Sequence, residues 1–284
     1  MKKQSKQMRF CPKGYSDEVE ATIPQYKRDG VRLPQRHLLR TAEQLAGIRE
    51  SAKINTALLD YLSEHIKEGM TTAEIDHMVY CFTTDHDAIP APFGYEGFPK
   101  SVCTSINDVV CHGIPSTKEV LRNGDILNVD VSTIYKGYFS DASRMFMIGN
   151  VPPEWQRLVQ VAKECRDIGV EMARPWIRLG DIGAAIQEHA EKNGYSVVRD
   201  LCGHGVGVKF HEEPDVEHFG KRGTGMMIVP GMTFTIEPMI NMGSYEVFID
   251  EADGWTVCTE DGLPSAQWES MVLITEDGHE VLTE

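Results

Sequence analysis

The sequence predicts an α+β fold, an antiparallel sheet covered by amphipathic helices behind a basic N-terminal extension. Three observations carry this. Residues 41 to 82 read as two consecutive amphipathic helices, each opened by a capping box. Residues 126 to 148 alternate, turn and alternate again, as a long β-hairpin does. Helices and strands then mix without the regular βαβ alternation that builds a parallel sheet. The chain has 284 residues, 41% hydrophobic and 25% charged, enough for one large domain or two small ones. No linker or internal repeat follows residue 40, so residues 41–284 read as one domain and 1–40 as an extension.

The extension is the basic part of an acidic chain. It holds ten Lys or Arg against four acids, a net of +6, and since the whole chain carries −15 the remainder carries −21. A basic arm can contact a polyanion, or fold over the acidic surface of its own body. Thr41 with Gln44 opens the first helix, which carries Leu45, Ile48, Ala52, Leu59, Leu62 and Ile66 at helical spacing, with Gly69 as its stop. Thr71 with Glu74 opens the second, carrying Ile75, Met78, Val79 and Phe82. "PPEWQRLVQVAKECRDIGVEMA" and "DIGAAIQEHAEKNG" read as two more helices, the first started by proline and the second ended by Gly194. Strands are expected at about 126–132, 138–148, 232–241, 245–250, 254–258 and 269–275.

Some classes are disfavoured at once. No run approaches the roughly 18 apolar residues of a membrane span, and "MKKQSKQMRF" lacks the apolar centre of a signal peptide. A cytoplasmic protein with no membrane partner is expected. Seven cysteines without CxxC clustering fit reduced thiols rather than a disulfide framework or a zinc finger.

The hairpin "ILNVDVSTIYKGYFSDASRMF" carries two aspartates where a strand wants apolar or neutral residues. With Lys136 and Gly137 central in the turn, Tyr135 faces Tyr138 and Ser132 faces Asp141. Asp130 then shares a face with Asp141, roughly 7–8 Å away diagonally across the ladder. Such a pair repels itself unless a proton or cation lies between; the bland alternative is a solvated face with two ordinary acids. "GHGVGVKFHEEP" places His204 among glycines, which let backbone come close to whatever the imidazole binds, although a histidine in a glycine-rich turn is more often structural. "MTFTIEPMI" sets Glu237 in an apolar strand just before a proline, and "SAQWESMVLI" sets Glu269 at the mouth of another apolar run. An unpaired carboxylate there would cost several kcal/mol. A buried salt bridge is the mundane solution, yet neither segment offers a nearby base.

Asp130, Asp141, His204, Glu237 and Glu269 together make four carboxylates and one imidazole. That is more negative charge than one divalent ion offsets, so two cations fit better, and oxygen-rich ligation with one nitrogen suits Mn, Fe, Co or Zn. Two such ions lower the pKa of a bridging water to near neutrality, which makes hydrolysis the natural reaction.

With these motifs assembled, the sequence from about Thr41 onward resembles the type I methionine aminopeptidases, whose fold is nicknamed pita-bread. "NVDVSTIYKGYFSDASRMF", "GHGVGVKFHEEP", "TIEPMI" and "SAQWES" come in that family's order and near its spacing. The resemblance implies removal of initiator methionine from nascent proteins and peptides with a small second residue, by a metal-bridged hydroxide attacking the scissile amide. It implies that Asp130 chelates one metal, His204 ligates the other, Asp141 and Glu269 bridge them, and Glu237 is both ligand and proton shuttle. His112 and His211 match the family's two histidines that contact the substrate amide, and Tyr95, Phe98, Cys103, Phe210 and Trp255 match its methionine pocket. Two departures stand at the pocket rim: Pro92 where some relatives carry Cys, and Glu96 where some carry His. Asn107, Val109 and Ser265 match a monovalent-cation loop. A monomer without sequence-specific nucleic-acid contact is expected, its basic extension either tethering the enzyme to the ribosome or clamping the fold.

Two other readings compete. A proline-specific peptidase of the same fold usually carries a large N-terminal domain that 40 residues do not supply, and a relative that binds without metals should lack a ligand, whereas all five are here.

Overall fold

A computed structural model describes residues 17–284. Lys2, Lys3, Lys6, Arg9 and Lys13 of the basic extension lie outside the described residues.

Among the described residues, five α-helices and a set of antiparallel sheets make up the fold. The extension supplies α1 (Asp17–Arg28), which the sequence reading left out by treating that stretch only as charge. Both predicted capping boxes form, at Thr41 for α2 (Ala42–His65) and at Thr71 for α3 (Thr72–Asp85). α2 ends before Gly69, because Ile66 closes it by donating to Leu62 O, and Gly69 at φ 87 instead donates to Leu121 O in the turn that follows. α4 (Pro153–Met172) and α5 (Leu179–Lys192) complete the set.

The helices sit in pairs over the two halves of the sheet system. α2 and α3 cover the hairpin of Ile126–Tyr135 and Tyr138–Met147, with Leu58, Leu59, Leu62, Ile75 and Val79 packed on Leu127, Val129 and Val131. Each of these leucines is fully buried and contributes about 1.5–3 kcal/mol by leaving water; Leu59→Ala should cost about 2–5 kcal/mol. α4 and α5 cover the later strands, with Leu158, Ala162, Ile182 and Ile186 against Phe234, Ile236, Ile240 and Val272.

The hairpin has the predicted register: Tyr135 opposite Tyr138 and Ser132 opposite Asp141, turning through Lys136 and Gly137 at φ 50 and 83. The strand expected over 232–241 is instead two. Thr233–Ile236 pairs with Ser270–Ile274, while Met239–Asn241 pairs with Ser265–Gln267 and Ser196–Val197 in another sheet. Pro238 has no N–H to continue a ladder, and the N–H of Glu237 donates to His218 Nε2 at 3.0 Å. The switch between sheets therefore falls at Glu237 and leaves its carboxylate free of either ladder.

Gly203–Gly205 pairs with Glu212–Val216, two short strands that the sequence reading left unassigned. A Cβ on Gly205 would lie 2.1 Å from the Glu213 carbonyl oxygen. The glycine beside His204 thus serves a close approach between strands, rather than an approach to whatever the imidazole binds.

Candidate metal centre and substrate cavity

A cavity of about 560 Å³ opens between the hairpin half and the later half of the fold. Its lining includes Asp130, Asp141, His204, Glu237 and Glu269, the two histidines His112 and His211, and all of Tyr95, Phe98, Cys103, Phe210 and Trp255. Pro92 and Glu96 also reach it. Asn107, Val109 and Ser265 lie apart from this lining; Ser265 N–H donates to Asn107 O at 2.9 Å, and Asn107 adopts φ 55.

The five polar residues form the floor, each placed by its own strand. Asp130 and Asp141 come from the two arms of the hairpin, His204 from Gly203–Gly205, Glu237 from the break between sheets, and Glu269 from just before Ser270–Ile274. Single donor atoms of Asp141, His204 and Glu269 lie within 4.8 Å of one another. His204 Nε2 stands 3.6 Å from Asp141 Oδ2 and 3.7 Å from Glu237 Oε1.

Burial dominates the electrostatics. With only protein groups around it, Asp130 is pushed up to about 7 by burial, and Glu237 to about 8 by burial with Asp130 adding and the Thr235 hydroxyl opposing. Asp141 and Glu269 are pushed well above the ordinary carboxylate range by burial and by the neighbouring acids. Burial, with His211 nearby, lowers His204 to about 3, so its imidazole is neutral. Its Nδ1 lies 3.0 Å from the Gly205 carbonyl oxygen, which holds the proton there and turns the Nε2 lone pair onto the carboxylates. A lone pair facing carboxylates in a buried site is repulsive, and no Lys or Arg forms an ion pair with any of these acids among the described residues. Asp130 Oδ1 is buried without a hydrogen-bond partner. The orphaned Asp130 oxygen, the imidazole lone pair aimed at acids, and the three donor atoms within 4.8 Å of one another fit a divalent cation among the acids.

Three further residues hold the floor in place: Ser132, which the hairpin register sets opposite Asp141, and Thr235 and Gln267, to which the sequence reading gave no role. Ser132 donates to Asp141 Oδ1 at 2.7 Å, and Gln267 Nε2 donates to Glu237 Oε2 at 3.2 Å. Thr235 Oγ1 donates to Glu237 Oε1 at 2.6 Å and accepts from the His204 N–H at 2.9 Å, tying two floor residues together. Side-chain alternation could have found Thr235, two residues before Glu237.

The mouth is aromatic. Tyr95 and Phe210 meet edge to face at 4.8 Å, and Phe98 and Trp255 at 5.2 Å. His112, at φ 56, is lowered to about 4 by burial, with His211 adding, and it faces Trp255 at 6.2 Å. His211 is also lowered by burial, and its ring lies 4.1 Å from that of His204. Burial pushes the Cys103 thiol well up, so it stays protonated and packs as an apolar group.

A model of the metallopeptidase family M24 matches residues 46–276. The chain is 49% identical over 245 residues to methionine aminopeptidase A of Synechocystis sp., which covers 86% of this chain and 96% of that one. The crystal structure of methionine aminopeptidase from Rickettsia prowazekii superposes with a TM-score of 0.85 at 46% identity, over 87% of this chain and 99% of that one. A Xaa-Pro dipeptidase from Bacillus anthracis shares the fold at a TM-score of 0.69 and 21% identity, over 87% of this chain and 62% of that one.

Proposed function

The chain belongs to metallopeptidase family M24 and within it to the type I methionine aminopeptidases, and from that premise we propose that it removes initiator methionine from nascent proteins and peptides whose second residue is small. It binds divalent metal and cleaves peptides hydrolytically. The observation that carries the reading is one cavity lined by Asp130, Asp141, His204, Glu237 and Glu269, with donor atoms of Asp141, His204 and Glu269 within 4.8 Å of one another and, among the described residues, no Lys or Arg paired with these acids.

Asp130, Asp141, His204, Glu237 and Glu269 would hold two divalent ions, of Co, Mn, Fe or Zn. Asp130 would serve one ion, His204 the other, and Asp141 and Glu269 both. When bound, such ions acidify water into a nucleophile at neutral pH and offset charge developing on the scissile carbonyl oxygen. The protein groups do the rest. Glu237, anchored through both oxygens by Thr235 and Gln267, takes the proton of the attacking water and passes it to the leaving amine. His112 and His211, both neutral, donate N–H to the reacting amide and steady the tetrahedral species. The methionine thioether lies among Tyr95, Phe98, Phe210 and Trp255, where sulfur–aromatic contacts favour it, with Cys103 filling the pocket's base. Pro92 and Glu96 at the rim tune peptide preference.

Residues 41–284 form the catalytic unit and 1–40 the extension, whose basic charge either tethers the enzyme to the ribosome or clamps the arm across the acidic body. The enzyme acts as a cytoplasmic monomer, with a monovalent cation near Asn107, Val109 and Ser265. Among the described residues no helix is long and apolar enough to cross a membrane.

The test is release of methionine from Met-Gly and Met-Ala peptides before and after chelation. Turnover should vanish with the metal and return on adding divalent ion, while Met-Leu peptides should be poor substrates. Undiminished turnover in metal-free protein overturns the mechanism, and efficient cleavage of Met-Leu overturns the specificity.

A further inference from the structure

Arg40 precedes the region that the family model matches, which begins at residue 46, and it belongs to the basic stretch read from sequence as an extension. Its side chain is nonetheless only 1% exposed, and that of its partner Glu212 only 8%. Its backbone N–H donates to Gly231 O at 2.9 Å, which fixes where the chain enters the body. The guanidinium then spreads over three acceptors. Nε donates to Thr233 Oγ1 at 2.9 Å, Nη2 to the Val206 carbonyl at 3.3 Å, and both terminal nitrogens to the Glu212 carboxylate. Glu212 Oε1 also accepts the N–H groups of Val208 and Lys209, each at 3.4 Å.

One cation therefore clasps both ends of the loop 206–212 and the strand that leads through Thr235 to Glu237. Phe210 and His211 stand on that loop and face the cavity. The His211 imidazole is surrounded by rings, with centroids 4.3 Å away at Phe210 and 5.2 Å at Tyr95, so its placement follows the backbone beneath it. A buried carboxylate without its cation moves to water or takes up a proton, and either response drags the loop. Displacement of a reacting group by about 1 Å can cost 10²-fold in rate. Glu212 also reaches the cavity wall, so its pairing with Arg40 keeps a fifth uncompensated anion away from the floor.

We propose that Arg40 is a positioning residue for the reaction: through Glu212 it sets where His211 presents its N–H to the scissile amide. The role calls for arginine. Three acceptors in different directions suit a planar fork with five donors, and a lysine ammonium would reach only part of the set.

The proposal rests on the reading of His211 given above, and a double-mutant cycle separates the two. In metal-loaded enzyme, Arg40→Met should lower kcat on a Met-Ala peptide about 10- to 100-fold, with KM and bound metal unchanged. Arg40→Lys should restore part of the loss. In a His211→Ala background, Arg40→Met should cost almost nothing further, because the group it positions is gone. All assays are run below the melting temperature of each variant, and if Arg40→Met does not fold, Arg40→Lys carries the same cycle. A purely structural role predicts a lower melting temperature with normal kcat, and that result overturns the proposal. So does an equal loss in both backgrounds, or a loss of metal that parallels the loss of kcat. A normal kcat in His211→Ala itself removes the role of His211, and this proposal with it.

Discussion

Asp130 and Asp141, on the cavity floor, sit on paired strands of 10 residues each in unbroken register, whereas His112 and His211, at the mouth, stand on irregular backbone, the former in the left-handed region at φ 56. The contrast follows from what each region must do. Acids that share cations must be held against their own repulsion, and a hydrogen-bonded ladder resists that displacement at every residue. A mouth must admit and release a peptide, and loops anchored at a few points give its groups direction without closing the way. Damage to the floor should empty the site, while damage to the mouth should slow chemistry in a site that stays loaded.

The largest effect should come from Asp141. Asp141→Asn removes a charge that the proposed site needs twice, once for each cation, and activity should drop to that of metal-free protein together with metal content. The same change relieves repulsion among the acids, so under chelation the variant should melt higher than the chelated parent. Calorimetry of metal binding and melting curves with and without chelator check both parts. A loaded but inactive variant would blur the contrast between floor and mouth.

His211→Ala probes the other side. Turnover should fall roughly 10²- to 10³-fold, the usual cost of one transition-state donor, with metal content unchanged. If the variant comes out empty, His211 belongs to the floor.

Thr235→Val sharpens the boundary, because Thr235 bonds to Glu237 and His204 and is not itself one of the proposed ligands. Loss of its bonds to Glu237 and His204 should weaken metal affinity about 10- to 100-fold, and Thr235→Ser should recover most of it. Titration with a competing chelator reads the difference.

How far each region could be read from sequence follows the same division. The turn at Lys136 and Gly137 sets the register that brings Asp130 and Asp141 to one face, and an acid in an apolar strand without a base nearby, as at Glu237 and Glu269, stands out by its cost alone. His112 carried no such signal: its position depends on a left-handed residue that nothing in "SINDVVCHGIP" announces, and only resemblance to a family pointed to it. The sheet switch at Glu237 was missed because a run of apolar residues hid the missing N–H of Pro238. The clasp of Arg40 on Glu212 was missed because 172 residues separate the partners and the segment around Arg40 reads simply as basic.

A smaller effect distinguishes the floor by pH. Glu237 rises from the ordinary 4.5 to about 8 and Asp130 from 3.8 to about 7, so a cation arriving near neutrality displaces protons. Apparent affinity should climb as pH rises to about 8, by at most about tenfold per unit for each proton displaced. For the chelated protein the sign is opposite. Between the ordinary and the raised values the folded state binds more protons than the unfolded one, so stability falls as pH rises through that window. Melting of chelated protein at pH 5.5 and 7.5, beside metal titrations at the same two values, tests both signs. A flat metal affinity would mean that these acids are already ionised.

The smallest expected effect on catalysis belongs to the residues before α1. The stretch 1–16 carries Lys2, Lys3, Lys6, Arg9 and Lys13 and no acid, whereas residues from 26 onward touch the body: Tyr26, Val31, Leu33 and Leu39 pack on the main core, Met227 N–H donates to Arg32 O at 2.8 Å, and Arg32 pairs with Glu213 at 2.9 Å. The extension thus divides by chemistry into a charged leader and a packed strap. Deleting 1–16 should leave turnover of a short peptide and melting unchanged, because no part of the floor or mouth is removed. If the leader binds ribosomal RNA, the same deletion should abolish a co-sedimentation with ribosomes that weakens steeply with salt, as release of counterions from phosphate requires. Deleting 1–40 should act on a different quantity: it removes buried Leu38 and Arg40, so melting and kcat should both fall. Equal peptide kinetics in the two truncations would show that the strap does nothing for the mouth, and ribosome binding that survives loss of 1–16 would place that contact on residues 17–284, against their net charge of −20.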